Sequence, residues 1–340
     1  MMETPKTNSE LKLKSAVFRQ KREASWLRLD ALITQLEKRS FKSLTASEAL
    51  ELPLLYQTAI SSLALARRLF IDISLIDYLE NLALRGHFAV YGPRKSFMEV
   101  LTDFFARDFP RAVRALKLPV LLAFLALFSG VAAGFLEVAS DESAFYSLVP
   151  AELAGDRGPA APVSRLRDEI IFAPWAGFEE SFIHFASYLF ERNSFVAFLA
   201  FGLGFALGVP TVFVLFNNGQ ILGAMTAVHW RKDIALDFIG WVSIHGVTEL
   251  LAIILAGGAG LGVAIRILFP GRQSRLDSLA HSGPQVAAVM VGATFMLLVA
   301  GFIEGGLRQL VGFTFPRFFI AGLTLFAWAY YFLLFGKEDQ

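Results

Sequence analysis

The chain has 340 residues, 55% hydrophobic and 14% aromatic, with 34 Phe and no Cys, and its mean hydropathy is +0.53. The lack of Cys excludes disulfides, thiolate nucleophiles and Cys-based zinc or iron–sulfur sites. Several uncharged runs exceed the roughly 20 residues that a helix needs to cross a bilayer core of about 30 Å, so the expected class is all-α, a polytopic transmembrane helical bundle. The net charge of +1 hides a partition, because residues 1–117 hold 19 Lys and Arg against 13 acidic residues while the remainder holds 12 against 17. A basic leading portion stays on the cytoplasmic side. Its charges are dispersed among acids and aromatics, which argues for topology and anionic lipid and against nucleic acid.

The chain opens polar and Lys-rich, with no signal-peptide pattern, so the first span is expected to direct its own insertion. From Ser15 to His87 apolar residues recur at helical spacing (Trp26, Leu29, Leu32, Leu36; Leu52, Leu55, Ile60, Leu63; Ile73, Ile76, Leu79, Leu82), which predicts three amphipathic helices with Thr45 and Ser47 as N-cap candidates. Residues Ser96–Lys117 mix Phe, Leu and charges as an interfacial helix does, and Pro110 is expected to bend it. Residues 1–117 are thus read as a cytoplasmic helical region and 118–340 as the transmembrane domain. The first span is Leu118 to about Phe135.

Residues 137–193 are read as an extracytoplasmic loop followed by an interfacial helix. Glu137–Glu169 has 7 acidic and 3 basic residues. Ser194–Val228 and Ile234–Phe269 are each too long for one minimal span. The Asn217–Gly219 and Gly257–Gly260 clusters predict broken or re-entrant helices within them. Pro284–Phe302 and Phe315–Phe335 complete five crossings; a sixth depends on whether Gly257–Phe269 returns through the membrane. Both HWRKD (His229–Asp233) and the loop with Arg272 and Arg275 carry cytoplasmic-type charge, which five crossings do not satisfy.

His245 and Glu249 stand one helical turn apart in Phe238–Ile265, where Glu249 is the only formal charge. An ionisable pair at that depth needs a partner or a water-filled cavity. With Gly246, Asn217, Asn218 and Gly219 it forms the candidate polar intramembrane core, either as a structural pair or as a functional one. Secondary candidates are Glu179, Glu180 and His184, which on an interfacial stretch read first as a solvated face, and Glu304, which reads as an ion pair with Arg308 at the membrane surface. His229, Glu180, His184 and Glu304 could each add a metal ligand, but the spacing matches no zinc signature and HExxH is absent; no metal or other cofactor is expected. The paired Glu followed by membrane His residues partially resembles the CAAX-protease family, with His184 in place of that family's Arg, Met225 in place of its Phe and Glu249 in its last position.

The runs NNGQILGA (Asn217–Ala224) and IHGVTELLAIILAGGAGLGVA (Ile244–Ala264), with Pro270 after them, resemble the stage II sporulation protein M family. RGHFAVY (Arg85–Tyr91) and YQTAISSLALAR (Tyr56–Arg67) extend the resemblance to nearly the whole chain. It implies a bacterial inner-membrane protein of about five spans without established catalytic activity, whose founding type works with peptidoglycan-degrading partners. The long helical leader is similar to the non-sporulation branch, which implies MoxR-type ATPases and von Willebrand A-type proteins as partners. Small-residue faces allow a homodimer in the bilayer. Three functions remain open: a non-enzymatic membrane scaffold or assembly component linked to the cell envelope, an ion- or proton-coupled transporter, and an intramembrane hydrolase using Glu180, His245 and Glu249.

Overall fold

A computed structural model describes residues 8–39, 44–68, 73–91, 97–173 and 187–337, and its regular structure there is entirely helical, as the composition predicted. Two compact units divide between Leu101 and Thr102. The first contains α1 (Asn8–Arg39), α2 (Ala46–Arg68) and α3 (Ile73–Tyr91). Apolar residues three and four apart share a helix face, and those faces meet: Trp26, Leu29, Leu32 and Ile33 pack with Leu52 and Leu63 and with Leu75, Leu79 and Leu82. Thr45 starts α2 through a capping box. The Glu48 N–H donates to Thr45 Oγ1 at 3.3 Å and the Thr45 N–H to the Glu48 carboxylate at 3.0 Å. Arg85 of α3 clamps α1 through Asp30 at 2.6 Å and Glu37 at 3.0 Å.

At the boundary, α4 (Phe97–Asp103) passes through a π-helical turn, Phe104–Asp108, into α5 (Phe109–Ala115). Pro110 lies at the start of α5, where its missing N–H is harmless, and the irregularity falls one turn earlier. The residues from Thr102 onward cluster with the second unit: Phe109 is fully buried against Phe104, Phe105, Tyr331 and Phe332.

The second unit continues with α6 (Lys117–Ser140), then two short helices, α7 (Phe145–Leu148) and α8 (Ala151–Ala154), and a π-helical segment, Arg165–Ile171. Its remaining helices are α9 (Ser187–Gly202), α10 (Val209–Arg231), α11 (Ala235–Leu268), α12 (Arg275–Leu310) and α13 (Thr314–Leu334). Six described helices are long and apolar enough to cross a membrane by length and composition: α2 in the first unit, and α6, α10, α11, α12 and α13 in the second.

Helix directions follow from close contacts. Gly130 and Gly134 of α6 abut the carbonyls of Phe216 and Gln220, while Gly219 and Gly223 of α10 abut those of Leu127 and Val131. The two helices therefore run parallel, joined by two interlocked Gly-xxx-Gly faces. Gly258 and Gly262 of α11 meet Val120 and Leu116, so α11 runs antiparallel to α6. At the other side of the unit, Arg114 donates to the carbonyls of Phe332 and Phe335 at 2.7 Å each. The end of α13 thus lies at the Lys117 end of the bundle.

Neither expected helix break is present. α10 continues through Asn217–Gly219 and α11 through Gly257–Gly260. In hydrocarbon each freed backbone group costs several kcal/mol, and these glycines serve close packing instead: an added Cβ at Gly257 would lie 2.7 Å from Leu215 Cδ1, and one at Gly260 would lie 2.7 Å from the Ala200 carbonyl oxygen. The break falls between α9 and α10, at a 3-10 turn (Leu203–Ala206) followed by left-handed Leu207 (φ 64°) and Gly208 (φ 80°). Gly257–Phe269 is no return crossing, because α11 runs through it as one helix, and the end of α9 packs against Gly260. The charge conflict also resolves. Arg231 of HWRKD pairs with Glu142 at 2.6 Å and donates to the Ala139 carbonyl at 2.8 Å, so HWRKD sits at the Asp141 end with the acidic loop, opposite Arg266 and Arg275.

Candidate functional site

α11 presents His245 and Glu249 on one face, one turn apart, as residues i and i+4 must be. α12 supplies the third member. One ligand-type atom from each of His245, Glu249 and Glu304 lies within 4.8 Å of the others, and His245 Nε2 stands 3.3 Å from Glu304 Oε1. The His245 and Glu304 side chains are 7% and 3% exposed, while Glu249 is half-buried.

The walls are aromatic and small. Trp241 stands edge-on to His245, with ring centroids 6.4 Å apart, and Trp328 of α13 donates its indole N–H to Thr248 Oγ1 at 3.0 Å. Gly240 admits α13, since a Cβ there would lie 3.2 Å from Thr314 Cγ2. Gly246 is buried beside the imidazole. The arrangement concentrates two carboxylates and one imidazole where unbalanced charge is expensive. It is suited to holding protons or a cation.

The other sequence candidates lie elsewhere. Asn217 and Asn218 line a groove of about 580 Å³ with Glu191, Arg192, Asn193 and Phe213, while Gly219 is part of the α6 contact. Glu179, Glu180 and His184 fall outside the described residues. His229 is a satisfied core residue: it stacks on Phe238 at 4.0 Å and donates from Nδ1 to the Met225 carbonyl at 2.7 Å.

Glu304 differs most from its sequence reading. It turns into the bundle toward His245 rather than sitting at a surface, and the side chain of Arg308, its expected partner, lies outside the described residues. The available signal was composition, since Glu304 is a lone charge in LLVAGFIEGG followed directly by glycine, as His245 is.

Arg317 is a second buried charge that sequence reading missed. It donates to the carbonyls of Val311 and Ile171 at 2.9 Å each, and its guanidinium lies 4.8 Å from the centre of the Phe172 ring. Nearby, Asp237 accepts from Arg167 at 3.0 Å and from Thr314 at 2.5 Å. These contacts tie the loop to α11 and α13 at the Asp141 end.

No curated protein and no solved structure matches this chain. The family model for a domain of unknown function (DUF8413) matches residues 16–92, the three-helix unit, so RGHFAVY and YQTAISSLALAR fall under that separate match and do not extend the resemblance carried by the later runs. The model for stage II sporulation protein M matches residues 121–307, from α6 into α12 with all three cluster residues included. With more than half of its residues under that match, this multi-pass membrane protein belongs to the stage II sporulation protein M family.

Proposed function

We propose that the protein is a non-enzymatic scaffold of the bacterial plasma membrane, serving assembly or remodelling of the cell envelope. The observation that carries this reading is an aromatic patch on the three-helix unit. His87, Phe88 and Tyr91 are exposed, Tyr91 packs on Tyr56 and His87 with centroids 5.9 and 5.1 Å apart, and Tyr56 and His87 share a hydrogen bond at 3.3 Å. Exposed contiguous aromatics of this kind are what partner proteins anchor on. The Lys117 end carries Arg111, Arg114, Arg266, Arg272 and Arg275, which favours a cytoplasmic location for that end and for the chain before it. The proposed partners are MoxR-type ATPases and von Willebrand A-type proteins, which the resemblance to the family's non-sporulation branch implies.

The rival readings have less support. The transporter reading drew on half-helix ends at Asn217–Gly219 and Gly257–Gly260, both inside continuous helices. The hydrolase reading drew on Glu180, which lies outside the described residues. The test is affinity capture of the full-length protein from native membranes, comparing wild type with the Phe88→Ala/Tyr91→Ala double variant. Stoichiometric co-purification of an ATPase or von Willebrand A-type protein, lost in the variant, is the expected outcome; a chain that emerges alone and drives ion flux in proteoliposomes would replace scaffold with transporter.

A further inference from the structure

We infer that His245, Glu249 and Glu304 form a binding site for one divalent first-row transition ion, clamping α11 to α12. Geometry is the first ground. Donors on a tetrahedral ion with bonds of about 2.0–2.1 Å stand roughly 3.4 Å apart, and His245 Nε2 and Glu304 Oε1 are separated by 3.3 Å. The third donor, from Glu249, completes a set that spans no more than 4.8 Å, a gap that modest rotamer changes close.

Charge is the second ground. With a neutral imidazole and both carboxylates ionised the three groups sum to −2, and protonating His245 alone still leaves −1. A divalent cation brings the sum to zero with every donor in its ligating form.

Donor type is the third ground. One imidazole nitrogen with two carboxylate oxygens suits zinc, iron or manganese, and lacks the soft sulfur that copper(I) prefers. Two donors come from one helical turn and the third from the antiparallel neighbour, so the ion would staple two helices far apart in sequence. The remaining coordination position would be filled by water. This site is independent of the scaffold reading, which stands or falls on partner capture.

The test uses the full-length protein in detergent, stripped with a chelator and titrated with Zn2+ and, separately, with Co2+ as an optical reporter. Wild type and Glu142→Gln, which alters a carboxylate at the far rim, should each bind about one equivalent, and Co2+ should give the d–d absorption of a nitrogen- and oxygen-ligated ion. His245→Ala, Glu249→Gln and Glu304→Gln should each weaken binding by more than about 100-fold, since even the outer-shell partners of a ligand are worth 10–100-fold. Glu304→Gln keeps side-chain shape, so its loss of metal with an unchanged helical spectrum separates ligation from folding. Substoichiometric metal in wild type, or binding in all three variants equal to wild type, overturns the site.

Discussion

Gly219→Ala gives the sharpest test of how the membrane helices are held. A Cβ at this position would overlap the Leu127 carbonyl oxygen and lie 2.9 Å from the Val131 nitrogen. Both are backbone atoms that no rotamer change can move, so α6 and α10 must part by on the order of 1 Å to restore ordinary contact distances. Overpacking of this kind costs about 1–3 kcal/mol. Parting the helices also weakens the Gly130, Gly134 and Gly223 contacts with facing carbonyls, each worth about 0.5–1 kcal/mol as a Cα–H···O interaction. Against this, replacing a helical Gly by Ala returns about 0.5–1 kcal/mol, so the net loss should be roughly 2–4 kcal/mol. Gly322 of α13 is the internal control, because nothing lies within 4 Å of a Cβ added there, and Gly322→Ala should be neutral or stabilising. Equilibrium unfolding of the full-length protein in mixed detergent and SDS reads both variants. Equal midpoints for the two would refute the close-packed seam.

His245→Ala and Glu304→Ala should each lower stability by up to about 3–5 kcal/mol, the cost of stranding a buried charged partner; the double variant should lose less than the sum, and strict additivity would mean that the two do not interact. The chain has no Cys, so single cysteines can map its ends with a membrane-impermeant maleimide: positions 117 and 337 should label from one face of sealed vesicles and 142 and 232 from the other, and labelling of 117 and 337 from opposite faces would refute the placing of the end of α13 beside Arg114. The hydrogen bond from Arg85 holds the Glu37 carboxyl below its ordinary range. A depressed folded-state value stabilises the three-helix unit above the usual carboxylate pKa of about 4.3 and loses that contribution as pH falls through the folded value. Arg85→Met should therefore flatten the acid limb of thermal melts between about pH 5 and 3, and an unchanged limb would remove Glu37 from the account.

The sequence alone determined the class, the three amphipathic helices of the leader, the capping residue Thr45 and the turn that unites His245 with Glu249. Each depends on residues within a few positions of one another, where helical periodicity and freedom from charge act directly. Tertiary structure decided what local letters leave open. A glycine reads alike whether it breaks a helix or admits a neighbour, and only the facing carbonyls of Leu127 and Ala200 show that Gly219 and Gly260 do the latter while Gly208 turns the chain. Arg231 carries the same charge at either end of a bundle, and its side is set by Glu142, 89 residues away. Glu304 joins His245 because α12 folds back against α11, and no spacing rule links residues on separate helices. Burial of charge in hydrocarbon demands a partner, but the partner's identity is a property of packing.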